Sequence, residues 1–151
     1  MALQISLTSI RPGAGHDAAV ENMVLKYLQR CGRELPAVAK VFRTEKQFRE
    51  WAAEERKAGA TAVWLADVGA KAFTTEAFAE KLRAARDGGI RHLALGIGPA
   101  DGWSEAARSE ADLRFSLSAM TMPHEVARLV LAEQIYRVAT ILQGHPYHTG
   151  H

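Results

Sequence analysis

Apolar residues fall at alternate positions at the start of the chain, at Leu3, Ile5 and Leu7 with Ser9 next in line, and predict a strand with one buried face. The turn-rich stretch RPGAGHD then ends in Asp17 as a helix cap. Val20, Met23, Val24, Tyr27 and Leu28 recur at helical spacing up to Cys31 and Gly32. LPAVAKVF (35–42) predicts a second strand, and Thr44 with Gln47 three residues on is a capping-box signature opening a charged helix that runs to Gly59. ATAVWLA (60–66) is a short apolar run of the kind buried in a parallel sheet. Thr74 or Thr75 caps the next helix, which leads into IRHLALGIG, and Ser104 caps a short helix before ADLRFSLS. Five strands alternating with helices predict an α/β fold with a mostly parallel sheet and flanking helices, because parallel neighbours need crossovers. No linker interrupts the pattern, so residues 1–151 read as one domain.

The last helix breaks the rule of one apolar face. Across residues 125–142, Val126, Leu129, Val130, Leu131, Ile135, Val138, Ile141 and Leu142 cover more than one side, and a small sheet covers only one. Two explanations are open, a homodimer interface and a central core helix, and the frequency of two-fold symmetric oligomers favours the first.

Composition adds boundaries. A hydrophobic fraction of 48% and a charged fraction of 24% are those of a soluble globular protein and give disorder no support. The net charge of +2 allows a nucleic-acid partner without announcing one. Cys31 is the single cysteine, which fits a reducing, cytoplasmic setting. The opening residues read as a strand, not as a secretion signal, and no apolar run approaches the roughly 18–20 residues that cross a bilayer.

Three loops should gather at the carboxyl edge of the sheet: the one after Leu65, the glycine loop GIGPADG (96–102), and SLSAMTMP (116–123). The glycine loop follows the fourth strand and precedes a short helix, which argues against a nicotinamide fingerprint. The third loop offers backbone donors, apolar walls and the hydroxyls of Ser118 and Thr121, a surface suited to an adenine and a thioether better than to a polyphosphate; the alternative, which composition alone favours, is a plain loop before the helix that begins near His124. Trp51, Trp64 and Trp103 read as core or packing residues, with shielding of a ligand a second option for Trp103 beside the glycine loop. The terminal GHPYHTGH holds three of the six histidines but no carboxylate or cysteine, and Pro146 and Gly150 oppose a helix that would align His145, His148 and His151, so no metal is expected. His16 and His92 stand alone. Glu133 and Arg137 have the spacing of a stabilising ion pair.

Read together, LGIGPADGWS, FSLSAMTMPHEVARLVLAEQIYRVATIL and GHPYH closely resemble the ribosomal RNA large subunit methyltransferase H family, a group of SPOUT-class knotted methyltransferases. The resemblance is strong over residues 93–148 and weaker at MALQIS and at the strand holding Leu65. It implies a C-terminal trefoil knot, a homodimer, S-adenosylmethionine as methyl donor, and N3 of a pseudouridine in large-subunit (23S) ribosomal RNA as acceptor, reached in the assembled ribosome. By the matching motifs, the cofactor would contact Leu65, Gly98, Pro99, Ser118, Ala119, Met120, Thr121, Met122 and Pro123, while His145, Tyr147 and His148 would border the target base. This chain has Pro99 where the family usually has a second glycine, and Thr149 where an arginine usually follows the tail motif. The alternative implied by these departures is a non-catalytic relative that binds RNA or the ribosome. For the enzyme, His148 is the residue suited to removing the N3 proton, since an unperturbed imidazole titrates near about pH 6.5, and Tyr147 would orient the ring.

Overall fold

The computed structural model describes residues 2–11, 13 and 17–150. Most of the expected loop at 12–16, with His16, and the last residue, His151, lie outside the described residues. The elements follow the predicted order: β1 (Gln4–Ile10), α1 (Ala18–Arg30), β2 (Ala37–Phe42), α2 (Glu45–Ala58), β3 (Thr61–Ala66), α3 (Thr75–Asp87), β4 (His92–Ile97), α4 (Glu105–Glu110), β5 (Leu113–Phe115), α5 (His124–Gln143) and a closing 3-10 turn at His148–Gly150. Four helices begin where a side-chain oxygen accepts a first-turn N–H: Asp17, Thr44, Thr74 and Ser104. Thr75 is thereby free to donate its hydroxyl to Gln134 of α5 at 2.8 Å. Two strands are shorter than expected. β2 starts after Pro36, and the last strand pairs for only three residues before a single bridge at Ser116.

The sheet is wholly parallel in the order β2-β1-β4-β3-β5. Its register aligns Ile5, Leu93 and Ala62, then Leu7, Leu95 and Trp64, on one face. That face is covered by Val24 and Leu28 of α1, Phe78 and Leu82 of α3, and Leu131, Ile135 and Val138 of α5. The opposite face carries Val63, Leu65 and Ala94 under Phe48 and Ala52 of α2 and Ala107 of α4, with Trp103 beside them. Ser6, Thr8 and Ser9 of β1 are therefore buried too. Thr8 donates to the Leu95 carbonyl at 3.0 Å and Ser6 shares a 2.7 Å hydrogen bond with His92, which satisfies groups that an exposed strand face would give to water. Cys31 is fully buried, and burial pushes its thiol up to about 12, too high for a reactive thiolate.

α5 has one completely buried stripe, with Val126 exposed and Leu129, Val130, Ile141 and Leu142 half-buried. On the neighbouring α1, Met23 and Leu25 are also exposed. Gly144 ends α5 in the left-handed region (φ 73°), donating to Ile141 O, while His145 N–H reaches Thr140 O at 2.9 Å. This reversal lays the tail back along the helix. Among the described residues no helix is long and apolar enough to cross a membrane.

Candidate active site

Three segments meet at the carboxyl ends of β3, β4 and β5 around a cavity of about 610 Å³: residues 66–69, residues 97–103 and residues 116–124. Parallel strands end here with their loops pointing the same way, which is where open α/β sheets hold ligands. Of the residues singled out from sequence, Gly98, Pro99, Ser118, Met120, Thr121, Met122 and Pro123 line the wall, and Trp103 lies against the glycine loop. Leu65 does not line it. Side chains alternate along a strand, so Leu65 is fully buried beneath Gly96 and Ala66 is the β3 residue that borders the cavity. Ala119 lies in the loop but not on the wall.

Trp103 ties two of the segments together. Its indole N–H donates to Ala66 O at 2.9 Å, its ring sits 5.3 Å from that of Phe48, and it fills the space directly under Gly98. Pro99 O accepts from Gly102 N–H at 2.9 Å, with Gly102 at φ 91°, so the loop closes as a tight turn. In the third segment Ser116 Oγ donates to Ser118 O, and Ser118 Oγ accepts from Met120 N–H at 3.0 Å. The Ser118 hydroxyl is thus used within the loop. Among the described residues, nothing takes the backbone N–H groups of Thr121 and Met122.

Charged groups missed by the sequence reading also reach the cavity. Asp67, 9% exposed, accepts on one oxygen from Arg108 Nε at 3.0 Å and Arg114 Nη1 at 3.1 Å. Burial by itself would raise the Asp67 carboxyl, but the two guanidiniums outweigh it and hold the group below the usual carboxylate value. A depressed carboxyl stabilises the fold above its unfolded value and ceases to do so as the pH falls through its folded value. D67N should therefore lower the thermal midpoint at pH 7, at a cost of about 1–3 kcal/mol, and its gap to the unaltered chain should close in melts taken below about pH 4. A gap that persists unchanged at pH 3 would mean the carboxylate charge is not the cause. The only local hint of these residues was their position, an acid just after a buried strand and a basic side chain on the short helix after the glycine loop. His124, at the start of α5, lines the cavity, and burial lowers its pKa, so it is neutral at pH 7.

The tail sits elsewhere. Tyr147 donates its hydroxyl to Glu133 Oε2 at 2.8 Å, packs edge-on to Tyr136 at 4.8 Å, and lies under the Arg137 guanidinium at 5.1 Å. The hydrogen bond to Glu133 raises the phenol to about 12, so it stays protonated. Arg137 also pairs with Glu133 at 2.8 Å, the ion pair expected from spacing, and lies 3.0 Å from His148 Nδ1. An arginine only donates, so Nδ1 is the acceptor and the His148 proton is on Nε2, 3.4 Å from Glu76. His145 Nδ1 accepts from Tyr147 N–H, and Thr149 donates to Pro146 O, both contacts within the turn. Glu133 lies roughly 14 Å along the helix axis from His124 at about 1.5 Å per residue, so within one chain the tail and the cavity are separate.

Comparison with known proteins identifies the family and the fold. A family model described as predicted SPOUT methyltransferase matches residues 3–148. A ribosomal RNA large subunit methyltransferase H from Bartonella bacilliformis is 34% identical over 97% of this chain and 99% of its own length. Another from Brucella anthropi is 49% identical over 58% of this chain, an alignment that spans 54% of that relative. Two solved structures share the fold at low identity: the TrmH/SpoU tRNA modifying enzyme of A. aeolicus (TM-score 0.53, 10% identity, 99% of this chain and 78% of that one), and the SpoU methyltransferase AviRb from Streptomyces viridochromogenes, in complex with AdoMet (TM-score 0.52, 14% identity, 90% and 57%). With a family model spanning nearly the whole sequence and a relative aligned end to end, the chain belongs to the SPOUT methyltransferases, in the ribosomal RNA large subunit methyltransferase H family.

Proposed function

We propose that this chain methylates large-subunit ribosomal RNA, with S-adenosylmethionine as donor and N3 of a pseudouridine as acceptor, working as a cytoplasmic homodimer on the assembled ribosome. The observation that carries this reading is the convergence of three loops on one cavity of about 610 Å³, in a chain aligned end to end with a ribosomal RNA methyltransferase. The volume is that of a small-molecule site. Ile97, Leu117, Met120, Met122 and Ala127 give apolar walls for an adenine and an aliphatic chain, and the free N–H groups of Thr121 and Met122 suit an adenine edge. When bound there, S-adenosylmethionine supplies an electrophilic methyl carbon.

The chain's own residues do the rest. Trp103, Gly98 and Pro99 hold the loop that forms one wall, and residues 116–123, the segment that a C-terminal knot would thread, form the other and exclude water. His148, which has its proton on Nε2 and an acceptor nitrogen turned to Arg137, would take up the N3 proton once Nδ1 is released, with Tyr147 as a neutral phenol beside it. Base assistance of this kind is worth about 10²–10⁴-fold, whereas holding the reacting atoms in line supplies about 7–11 kcal/mol, so loop geometry outweighs the base. Because the tail and the cavity of one chain are apart, the reading needs the tail of one protomer to meet its partner's cavity. The exposed Met23, Leu25 and Val126 on α1 and α5 support pairing through that side.

Mass spectrometry of ribosomal RNA from cells with and without the gene tests the reaction: the methylated pseudouridine should disappear in its absence and return with the gene. Its persistence at an unchanged level would end the enzymatic reading. Titration of the purified protein with S-adenosylmethionine separates the enzyme, which binds, from a non-catalytic relative, which does not.

A further inference from the structure

Next to the cavity lies a second recess of about 340 Å³, lined by Asp67, Gly69, Glu105, Arg108, Ser109 and Arg114. It adjoins the first, since Asp67, Gly69 and Arg108 line both. Arg114 projects from β5, the edge strand, on the face opposite the buried Phe115, and Arg108 comes from α4 above it. Both guanidiniums rest on the same oxygen of the buried Asp67 carboxylate. Asp67 neutralises one arginine and the solvent-exposed Glu105 pairs with Arg108, so the recess holds two acids and two bases, and what it offers an anion is the unspent guanidinium edge and not a net charge. The Arg114 side chain is 45% exposed. Arg108 also spends Nη1 on Glu105, whose side chain is 91% exposed, but its Nη2 and the Nε and Nη2 of Arg114 have no acceptor among the described residues. A charge that merely protected an edge strand from pairing would not need to be pinned to a buried acid. Two planar guanidiniums locked side by side with unspent N–H groups match a tetrahedral oxyanion.

We infer that Arg108 and Arg114, held together on Asp67, seat a backbone phosphate of the acceptor RNA beside the methyl-transfer cavity. This rests on the RNA-acceptor reading above. The alternative anion, a carboxylate on the cofactor itself, is disfavoured by position: Arg114 does not line the main cavity and stands on the edge strand. A phosphate held there fixes the register of the strand, leaving the adjoining nucleotide to enter the cavity.

The test uses the full chain and its R114A variant with large ribosomal subunits prepared from cells that lack the gene. R114A should raise the Kd and the KM for subunits about five- to twenty-fold near physiological salt, lower the slope of log affinity against log salt by about one, and leave kcat in place. Its affinity for S-adenosylmethionine, read by calorimetry, should not change. R114K should recover part of the salt slope but less of the affinity, since an ammonium keeps the charge and loses the fork. An unchanged Kd and slope in R114A would overturn the inference, and so would a fall in cofactor affinity, which would assign the pair to the cofactor. If the unaltered chain binds subunits with the full salt slope but transfers no methyl group, the enzymatic reading fails while the phosphate seat is still read from R114A. No binding of subunits at all would overturn both.

Discussion

Replacing Gly98 with alanine should weaken S-adenosylmethionine binding by about ten- to a hundred-fold, corresponding to roughly 1.4–2.8 kcal/mol, in a protein that still folds. A β-carbon at Gly98 would lie 2.8 Å from Trp103 Cε2 and 2.9 Å from Nε1, closer than such carbons approach anything. The indole has no room to retreat. It is 4% exposed, bonded to Ala66 O and packed at a tilt against Phe48, so the glycine loop must move instead, and that loop is a wall of the cavity. Overpacking of this type costs about 1–3 kcal/mol. The same variant in a W103L background should lose less than the two separate losses combined, because the smaller side chain frees the space, and a coupling of about 1 kcal/mol or more is the signature of direct contact. Calorimetric titration of G98A, W103L and the double variant supplies all the terms. A folded G98A protein that binds the cofactor normally would show that this loop does not shape the site.

That clash also explains what the glycines mean. A β-carbon at Gly96 would likewise meet Leu65 and Trp103 at 3.0 Å, so both glycines of Gly-x-Gly at 96–98 clear room for an indole. The element order was legible because its signals are local: a capping oxygen at Asp17, Thr44, Thr74 or Ser104 and an apolar run after each helix. The resemblance named the loops at 98–99 and 118–123, which the structure brings together around one cavity. It also named Leu65, which lies buried beneath that wall while Ala66 borders it, because in a strand one residue is the difference between core and rim. The pairing of Asp67 with Arg108 and Arg114 spans more than forty positions and leaves no periodic trace. β1 misled in a different way. Its alternation reads as half-exposed, yet Ser6 and Thr8 are buried, because α2 and the neighbouring strands cover the second face and give those hydroxyls partners. The tail motif was recognisable, but its position was not, since the reversal at Gly144 and the anchoring on Glu133, Arg137 and Glu76 depend on contacts no short stretch encodes.

The largest loss of stability should come from Glu21→Gln. Arg128 is fully buried within α5, and its two terminal nitrogens both donate to the Glu21 carboxylate of α1, while its Nε has no partner. A guanidinium taken out of water and then stripped of its counter-charge costs about 3–5 kcal/mol, which for a chain of this size lowers the melting midpoint by about 6–20 °C. A buried pair is seldom better than an apolar one of the same shape. R128M should therefore cost less than E21Q, and E21M combined with R128M should recover most of what E21Q loses. Calorimetric melts of the three variants decide the point, and an E21Q midpoint within about 2 °C of the unaltered chain would mean that water reaches Arg128. The effect should extend to function. The pair fixes the first turns of α5 against α1, and those turns bring His124 and Ala127 to the cavity wall, so E21Q should also bind S-adenosylmethionine more weakly well below its melting temperature, with the double variant restoring that affinity alongside stability.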